Sequence, residues 1–484
     1  MWLRGGFFHS TVGRHLPPIV LLFVLVYSAG IPRDSAASGG ARPAAESEKG
    51  SARMKLEQGH KIRVRDSGGF LTVLEKLGEG GQGTVYRAEY GGKNYALKWF
   101  FPGALKRPGE FFRNLLQNIS DGAPSPGFLW PLYATEETEG SFGYLMELRP
   151  ANYVSFTDIL NAKSRIVKHS ARIGAALAIV ESFIALHRQG KSYQDLNDGN
   201  FFVDPADGGV LICDNDNVAP YGVNLGIAGK CRYMAPEVVL GEKPGMQSDY
   251  FSLAVMLFLL LFLSHPLEGE KVIKSVCLTD RHEVRHYGSD PVFIFDPANG
   301  TNRPVRGVHN NAIALWPLYP EFLREAFVRS FTEGVRRKER RVSDGEWLRL
   351  FIRLRDEIVV CGCGCENFAC VGAENGGGAR CVACGAAIPA PLRLKTQRYS
   401  PALFPGNRLY ACHTGEDGMD CRTVTGEVVR NRKDPAVWGI RNLSGGAWNA
   451  AMPDGSRRAV APGAVLPAFR NVTIDFGGRT AEIV

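Results

Sequence analysis

Asp195 and Asn200 stand five residues apart in the octapeptide Tyr193-Gln194-Asp195-Leu196-Asn197-Asp198-Gly199-Asn200, and Asp214 follows fourteen residues later. On one tight loop, an aspartate and an asparagine at that spacing can do two jobs. The aspartate accepts or orients the proton of an attacking hydroxyl, while the asparagine and a second aspartate hold magnesium on phosphate oxygens. Alone, Asp-x-x-x-x-Asn arises often by chance. Order gives it weight: a glycine-rich turn and a lysine precede it, and Ala235-Pro236-Glu237 follows it.

From Phe70 to Phe100 the pattern is alternating and β-branched, with turns at Gly78–Gly83 and Gly91-Gly92, which predicts three antiparallel strands. The first turn contains G-x-G-x-x-G at Gly78, Gly80 and Gly83, followed by Val85. A dinucleotide-binding turn shares that spacing but runs from strand to helix, whereas Thr84–Tyr90 alternates like a strand. Glycines between two strands let backbone amides close over polyphosphate. Lys98, on the third strand, is suited to bridging phosphates. A carboxylate normally holds such a lysine, and Glu110 is the only glutamate in the helix expected over Glu110–Ile119.

Further along, Gly143–Leu148 and Val210–Cys213 read as strands, and Ile166–Gln189 as a helix that stops at Gly190. The apolar run Leu253–Leu263 is too short to cross a bilayer and predicts a central buried helix. Glu321–Phe331 and Asp344–Ile358 are helical again. With 484 residues, the chain should hold roughly two to four domains. A hydrophobic share of 45% and a charged share of 22% are those of a globular protein. A net charge of +8 is mild for this length, and no basic run interleaved with aromatics predicts a nucleic-acid surface. Residues 1–53 differ: Arg4 and Arg14 precede an apolar stretch from Ile19 to Ile31, followed by small polar residues. They read as a signal-like or anchoring leader and linker, or as a stretch ahead of a true start at Met54. Membrane association is expected only if that leader is used; otherwise the expected compartment is the cytoplasm.

The glycine loop, Lys98, Asp195 with Asn200, Asp214, Ala235-Pro236-Glu237 and Asp249 together resemble the ordered signature of the eukaryotic-type protein kinase fold. The resemblance covers about residues 70–355. It implies an α+β, two-lobed domain with a β-rich N-terminal lobe, a helical C-terminal lobe, and ATP with magnesium (or manganese) in the cleft. It also implies that Met146-Glu147-Leu148 forms the gatekeeper and the adenine-facing hinge, and that Glu237 pairs with Arg341. Departures are as informative. Tyr193-Gln194-Asp195 replaces His-Arg-Asp, so no arginine waits for an activation-loop phosphate, and Asp214–Glu237 contains no Ser or Thr. Regulation by phosphorylation there is not expected. Asp214-Asn215-Asp216 replaces Asp-Phe-Gly, and Asp216 is expected to be solvated, with a further metal contact as the alternative. Asn197 replaces the catalytic-loop lysine, and Lys230, in the activation segment, is the candidate to supply the missing cation.

Cys361, Cys363, Cys365, Cys370, Cys381 and Cys384 crowd one segment. Cys381 and Cys384 form a zinc-knuckle spacing, and Cys361, Cys363, Cys381 and Cys384 are the preferred structural zinc set, with Cys365 as substitute and disulfides as the alternative. The scattered Cys213, Cys231 and Cys277 are expected to be buried thiols. This zinc-ribbon-like segment, residues 358–388, leads through Ile388-Pro389-Ala390-Pro391 to a small β-sandwich at 393–484, which resembles a degenerate forkhead-associated domain and is expected to dock a protein partner. The ribbon and tail resemble those of bacterial serine/threonine kinases. The implied function is transfer of the γ-phosphoryl group of ATP to Ser or Thr of a protein substrate. A nucleotide-binding pseudokinase scaffold and a small-molecule phosphotransferase are the alternatives.

Overall fold

The computed structural model describes residues 55–226, 229–275, 279–371, 379–434 and 437–484. The leader and Cys277 lie outside them. The first lobe is a six-stranded sheet of β1 (Lys61–Arg63), β2 (Phe70–Glu79), β3 (Gly83–Tyr90), β4 (Lys93–Phe100), β5 (Tyr133–Ala134) and β6 (Gly143–Met146), in the order β1-β2-β3-β4-β6-β5. Period-two alternation sorts the β4 side chains. Leu97 and Trp99 join Leu71, Val73, Tyr86 and Ala88 on one face. Ala96 and Phe100 pack on the other against helix α1 (Pro108–Asp121), so Lys98 faces α1 and the cleft. Pro108 opens α1 and Gly122, at φ 75°, closes it, while Phe111, Leu115 and Asn118 at helical spacing form its buried stripe.

The second lobe is helical. α2 (His169–Arg188) and α3 (Met246–Phe262) cross at its centre, with α4 (Glu321–Phe331) and α5 (Asp344–Asp356) packed around them. In α3 every residue from Ser248 to Phe262 is buried, which explains a helix that is apolar on all sides. α2 is the one described helix long and apolar enough to span a membrane, and it is a core helix by its burial. Three short pairings sit at the cleft floor: β7 (Val154–Ser155) with β9 (Phe201–Val203), β9 with β10 (Val210–Ile212), and β8 (Lys191–Tyr193) with β11 (Val218–Pro220). They bring the loop after Tyr193 beside the turn after Cys213. Arg341, which is buried, crosses to Glu237 through two bonds of 2.8 and 2.7 Å.

Beyond α5, β12 (Ile358–Val360) and β13 (Glu366–Phe368) form a hairpin beside the cysteines. The C-terminal region holds β14 (Leu392–Lys395), β15 (Ala402–Leu403), β16 (Arg408–Tyr410), β17 (Val424–Arg430), β18 (Trp438–Asn442), β19 (Trp448–Ala451), β20 (Arg457–Val460), β21 (Val465–Pro467), β22 (Val472–Asp475) and β23 (Thr480–Ile483). These make a six-stranded sheet, β15-β14-β23-β22-β19-β20, and a four-stranded one, β16-β17-β18-β21. Leu394, Leu409, Ile440, Trp448, Leu466 and Ile474 fill the space between them. Ile388, at the head of the irregular Ile388–Pro391 segment, is buried in the cluster around the cysteines. Arg393 pairs with Glu357 at 2.6 Å, Arg355 donates to the Cys421 carbonyl at 2.8 Å, and Tyr399, Cys412 and Cys421 belong to the same apolar core as α2 and α3. Cys213 and Cys231 are half-buried rather than fully buried.

Candidate active site

The glycine turn closes between β2 and β3, where the Gly80 amide donates to the Gly83 carbonyl at 2.9 Å. Gly83 is required sterically, since a Cβ there would lie 2.1 Å from the Trp99 carbonyl oxygen. At Gly78 and Gly80 a Cβ would meet open space, so those glycines leave room above the cleft. Val85 stands opposite Lys98 in the β3–β4 register and packs with Ala96, Met146, Leu148 and Leu211 into one apolar surface. Glu147 points outward to Lys93 at 2.9 Å, leaving only backbone at that hinge position to face the cleft.

Lys98 is 5% exposed, yet it stays an ammonium: burial works against its charge, and Asp214 and Asp216 outweigh burial and raise its pKa. Its Nζ lies 2.9 Å from Asp216 Oδ2, 3.1 Å from Asp216 Oδ1 and 3.3 Å from Asp214 Oδ1. Glu110 takes no part. It is exposed in the first turn of α1, 3.5 Å from Arg107, because Phe111 and Leu115 claim the inward face. The expectation of a solvated Asp216 also fails: the side chain is fully buried and accepts from the Tyr144 hydroxyl at 2.8 Å.

Asp195, Asn197 and Asn200 make one knot. The amides of Asn200 and Asn197 both donate to the Asp195 carbonyl, at 2.8 and 3.0 Å, which leaves the Asn200 side-chain oxygen for a cation. Asp195 Oδ1 is buried with no hydrogen-bond partner among the described residues, and burial raises its pKa. An acceptor left open in this way suits a hydroxyl donor. Asp214 sits in the left-handed region at φ 56° and is part-exposed. Asn215, in the place of an apolar residue, is fully buried and donates to the carbonyls of Leu129 (2.7 Å) and Ile212 (3.0 Å), pinning the turn by hydrogen bonds instead of packing. Asn200 and Asp214 thus offer oxygens of the kind magnesium takes.

Two residues of the activation segment meet the loop. Lys230 Nζ lies 3.0 Å from Asn197 Oδ1 and 3.5 Å from Asp198 Oδ1, so the structure brings the candidate cation onto the residue whose lysine is missing. Gln194 donates from Nε2 to the Val223 carbonyl and accepts the Leu225 amide at 3.2 Å. A neutral amide thereby ties the segment down where a phosphate-reading arginine would stand. Of the two tyrosines there, Tyr233 is buried and Tyr221 donates to the His187 carbonyl at 2.8 Å.

In the cysteine segment, the sulfurs of Cys361, Cys363, Cys381 and Cys384 lie within 4.8 Å of one another. The Cys361–Cys384 and Cys363–Cys381 separations are 3.6 and 3.7 Å. Four thiolates about 2.3 Å from one zinc ion would be about 3.8 Å apart, so the set fits the ion. Burial would raise the Cys381 thiol, but the Cys384 and Ala383 amides and the Asn367 side chain hold it at about 6. Cys365 stands apart, donating toward the Glu366 carbonyl.

Residues 71–291 match the family model described as protein kinase domain. The chain is 27% identical over 243 residues to a protein kinase C delta type homolog of Drosophila melanogaster, covering 48% of this chain and 34% of that one. It is 27% identical over 208 residues to protein kinase C delta type of Mus musculus (41% and 30% covered). To the serine/threonine-protein kinase PLK4 of Nematostella vectensis it is 27% identical over 214 residues (41% and 21% covered). The chain spans about a third or less of the length of these relatives.

Proposed function

We propose that the protein kinase domain carried by residues 71–291 transfers the γ-phosphoryl group of ATP to Ser or Thr hydroxyls of a protein, with Asp195 orienting the acceptor. The observation that carries this reading is the open, buried Asp195 Oδ1, held in place by the Asn197 and Asn200 amides on the carbonyl of the same residue. Lys98 and the amides of the Gly78–Gly83 turn hold the phosphates; Val85, Ala96, Met146 and Leu148 take the base. Magnesium on Asn200 and Asp214 would neutralise charge on the phosphates. Lys230 sits against Asn197 and supplies the cation near the transferring group. Because Gln194 ties the activation segment directly, activity does not wait for phosphorylation there.

Cys361, Cys363, Cys381 and Cys384 hold a structural zinc ion in this reading, supported by their sulfur spacing. The β module braces α5 first, and a protein partner meets it at the edge strand β21 and the loop after it, where Val465 and Phe469 are exposed. The deciding experiment incubates the full chain with labelled ATP and magnesium, beside Asp195→Ala. Label transferred to protein by the first and not the second supports the kinase. Nucleotide binding with no Asp195-dependent transfer replaces it with the pseudokinase scaffold.

A further inference from the structure

The carboxylate that holds Lys98 comes from the wrong element for a domain of this kind to be switched through its helix. The acidic residues of α1 are Glu110 and Asp121. Glu110 faces solvent beside Arg107, and Asp121 pairs with Lys191 at 2.6 Å. On the inward side α1 presents Asn114 and Asn118, whose amides both donate to the Val218 carbonyl at 2.7 and 2.9 Å. The helix is therefore tied to the backbone that follows Asp216 and makes no bond to Lys98.

Lys98 and Asp216 form a buried pair through both carboxylate oxygens, with Asp214 Oδ1 a longer second contact at 3.3 Å. Tyr144 lies directly across from Lys98 in the β4–β6 register, and its hydroxyl donates to the Asp216 oxygen that also receives the lysine. Asp216 belongs to the single helical turn Asn215–Asn217, immediately after Asp214. One turn, pinned by Asn215, thus carries both the magnesium-side carboxylate and the partner of the phosphate-side lysine.

We propose that Asp216, with Tyr144 behind it, is the positioning residue for Lys98, so that the phosphate-binding lysine is set by the Asp214–Asn217 turn and not by α1. The proposal rests on the kinase reading in one respect, that Lys98 binds phosphate. A movement of α1 that breaks its two bonds to the Val218 carbonyl leaves the lysine partnered, whereas displacement of the turn withdraws the lysine's partner and the metal-side carboxylate together. A buried ammonium deprived of its nearer carboxylate loses its place and part of its compensation, and swings toward Asp214.

The test titrates the full chain with a fluorescent ATP analogue and separately with adenosine, which has no phosphate for Lys98 to hold. Asp216→Asn is expected to weaken ATP binding about tenfold or more and leave adenosine binding within about twofold, with Glu110→Gln within about twofold for both. Asp216→Asn binding ATP within about twofold of wild type would overturn the proposal, as would an equal loss for adenosine or a tenfold loss in Glu110→Gln. If Asp216→Asn does not fold, the Lys98→Met/Asp216→Asn double variant decides. A restored cooperative melt supports the pair, and a double variant as unfolded as the single one overturns it. A wild-type chain that binds neither ligand removes the kinase reading itself; wild-type binding with an unaffected Asp216→Asn removes only this inference.

Discussion

At the scale of single residues, the loop around Asp195 carries Asn197 where the resemblance implies a lysine, and a lysine from a different segment lies against it. Asn197 cannot carry charge, but its Oδ1 receives the Lys230 ammonium at 3.0 Å. Lys230→Met is expected to lower the phosphotransfer rate about 100-fold with the KM for ATP little changed, read from initial rates with labelled ATP. A rate within about twofold of wild type would sink the assignment. Asp195 must be ionised to accept a hydroxyl proton, and burial raises its pKa. The acidic limb of the kcat/KM profile should therefore lie above the ordinary carboxylate range, with activity growing as pH rises through it, and Asp195→Asn should remove the limb with the activity. Lys98, Asp195, Asn200 and Asp214 were legible because their order along the chain carries the information. Asp216 and Gln194 were not, because residue type does not reveal burial: an aspartate two positions past Asp214 reads as solvated until Lys98 is seen against it. A signal was available in α1, where the positions inward of Glu110 are Asn114 and Asn118 and no acid shares the face of Phe111 and Leu115.

At the scale of elements, three helices of the second lobe meet on one imidazole. His187, in the last turn of α2, places Nε2 3.1 Å from Asp249 of α3 and Nδ1 2.8 Å from Asp344 at the start of α5. Burial would lower its pKa, but hydrogen bonds to the two carboxylates raise it from 6.5 to about 9. A folded-state pKa above the unfolded one means that the stabilisation is complete below pH 6.5 and is lost as pH rises through about 9. At about 1.4 kcal/mol per unit, the loss between pH 6 and pH 10 is on the order of 3 kcal/mol. Urea unfolding at the two pH values measures it, and His187→Gln should be less stable at pH 6 and nearly flat across the range. The elements themselves were readable from period and punctuation. Glu321–Phe331 ends where its apolar pattern does, and the run from Leu253 is the buried helix that its length required. The start of α2 was placed too early, at Ile166, because Ile166 is buried without being helical, and an apolar residue ahead of a helix extends its pattern. The segment from Ile388 to Pro391 is irregular, and the burial of Ile388 against the cysteine cluster is a contact that composition does not display.

At the scale of the whole molecule, the cysteine segment and the β module are structural neighbours of the helical lobe, with α5 between them. Native mass spectrometry should find one zinc ion per chain, removed by chelation. Cys381→Ser should abolish it and lower the melting temperature, whereas Cys370→Ser should retain the ion; metal kept by Cys381→Ser would rule out the four-thiolate set. α5 has a further consequence. Its inner side, with Trp347, Phe351 and Leu354, is buried in the core shared with α2, while Arg355 lies over the Tyr410 ring at 3.6 Å and reaches the Cys421 carbonyl. A partition wall belongs to both rooms. A piece of this chain ending at residue 291 would lack Arg341 and the whole of α5, and one ending at Glu357 would keep α5 but strip its far side to water. Since β14 is itself paired with β23, even a cut within the β module opens a seam that leads back to α5. For transplantation, truncation or domain exchange, the divisible unit of this molecule is therefore larger than the segment that matches the family model.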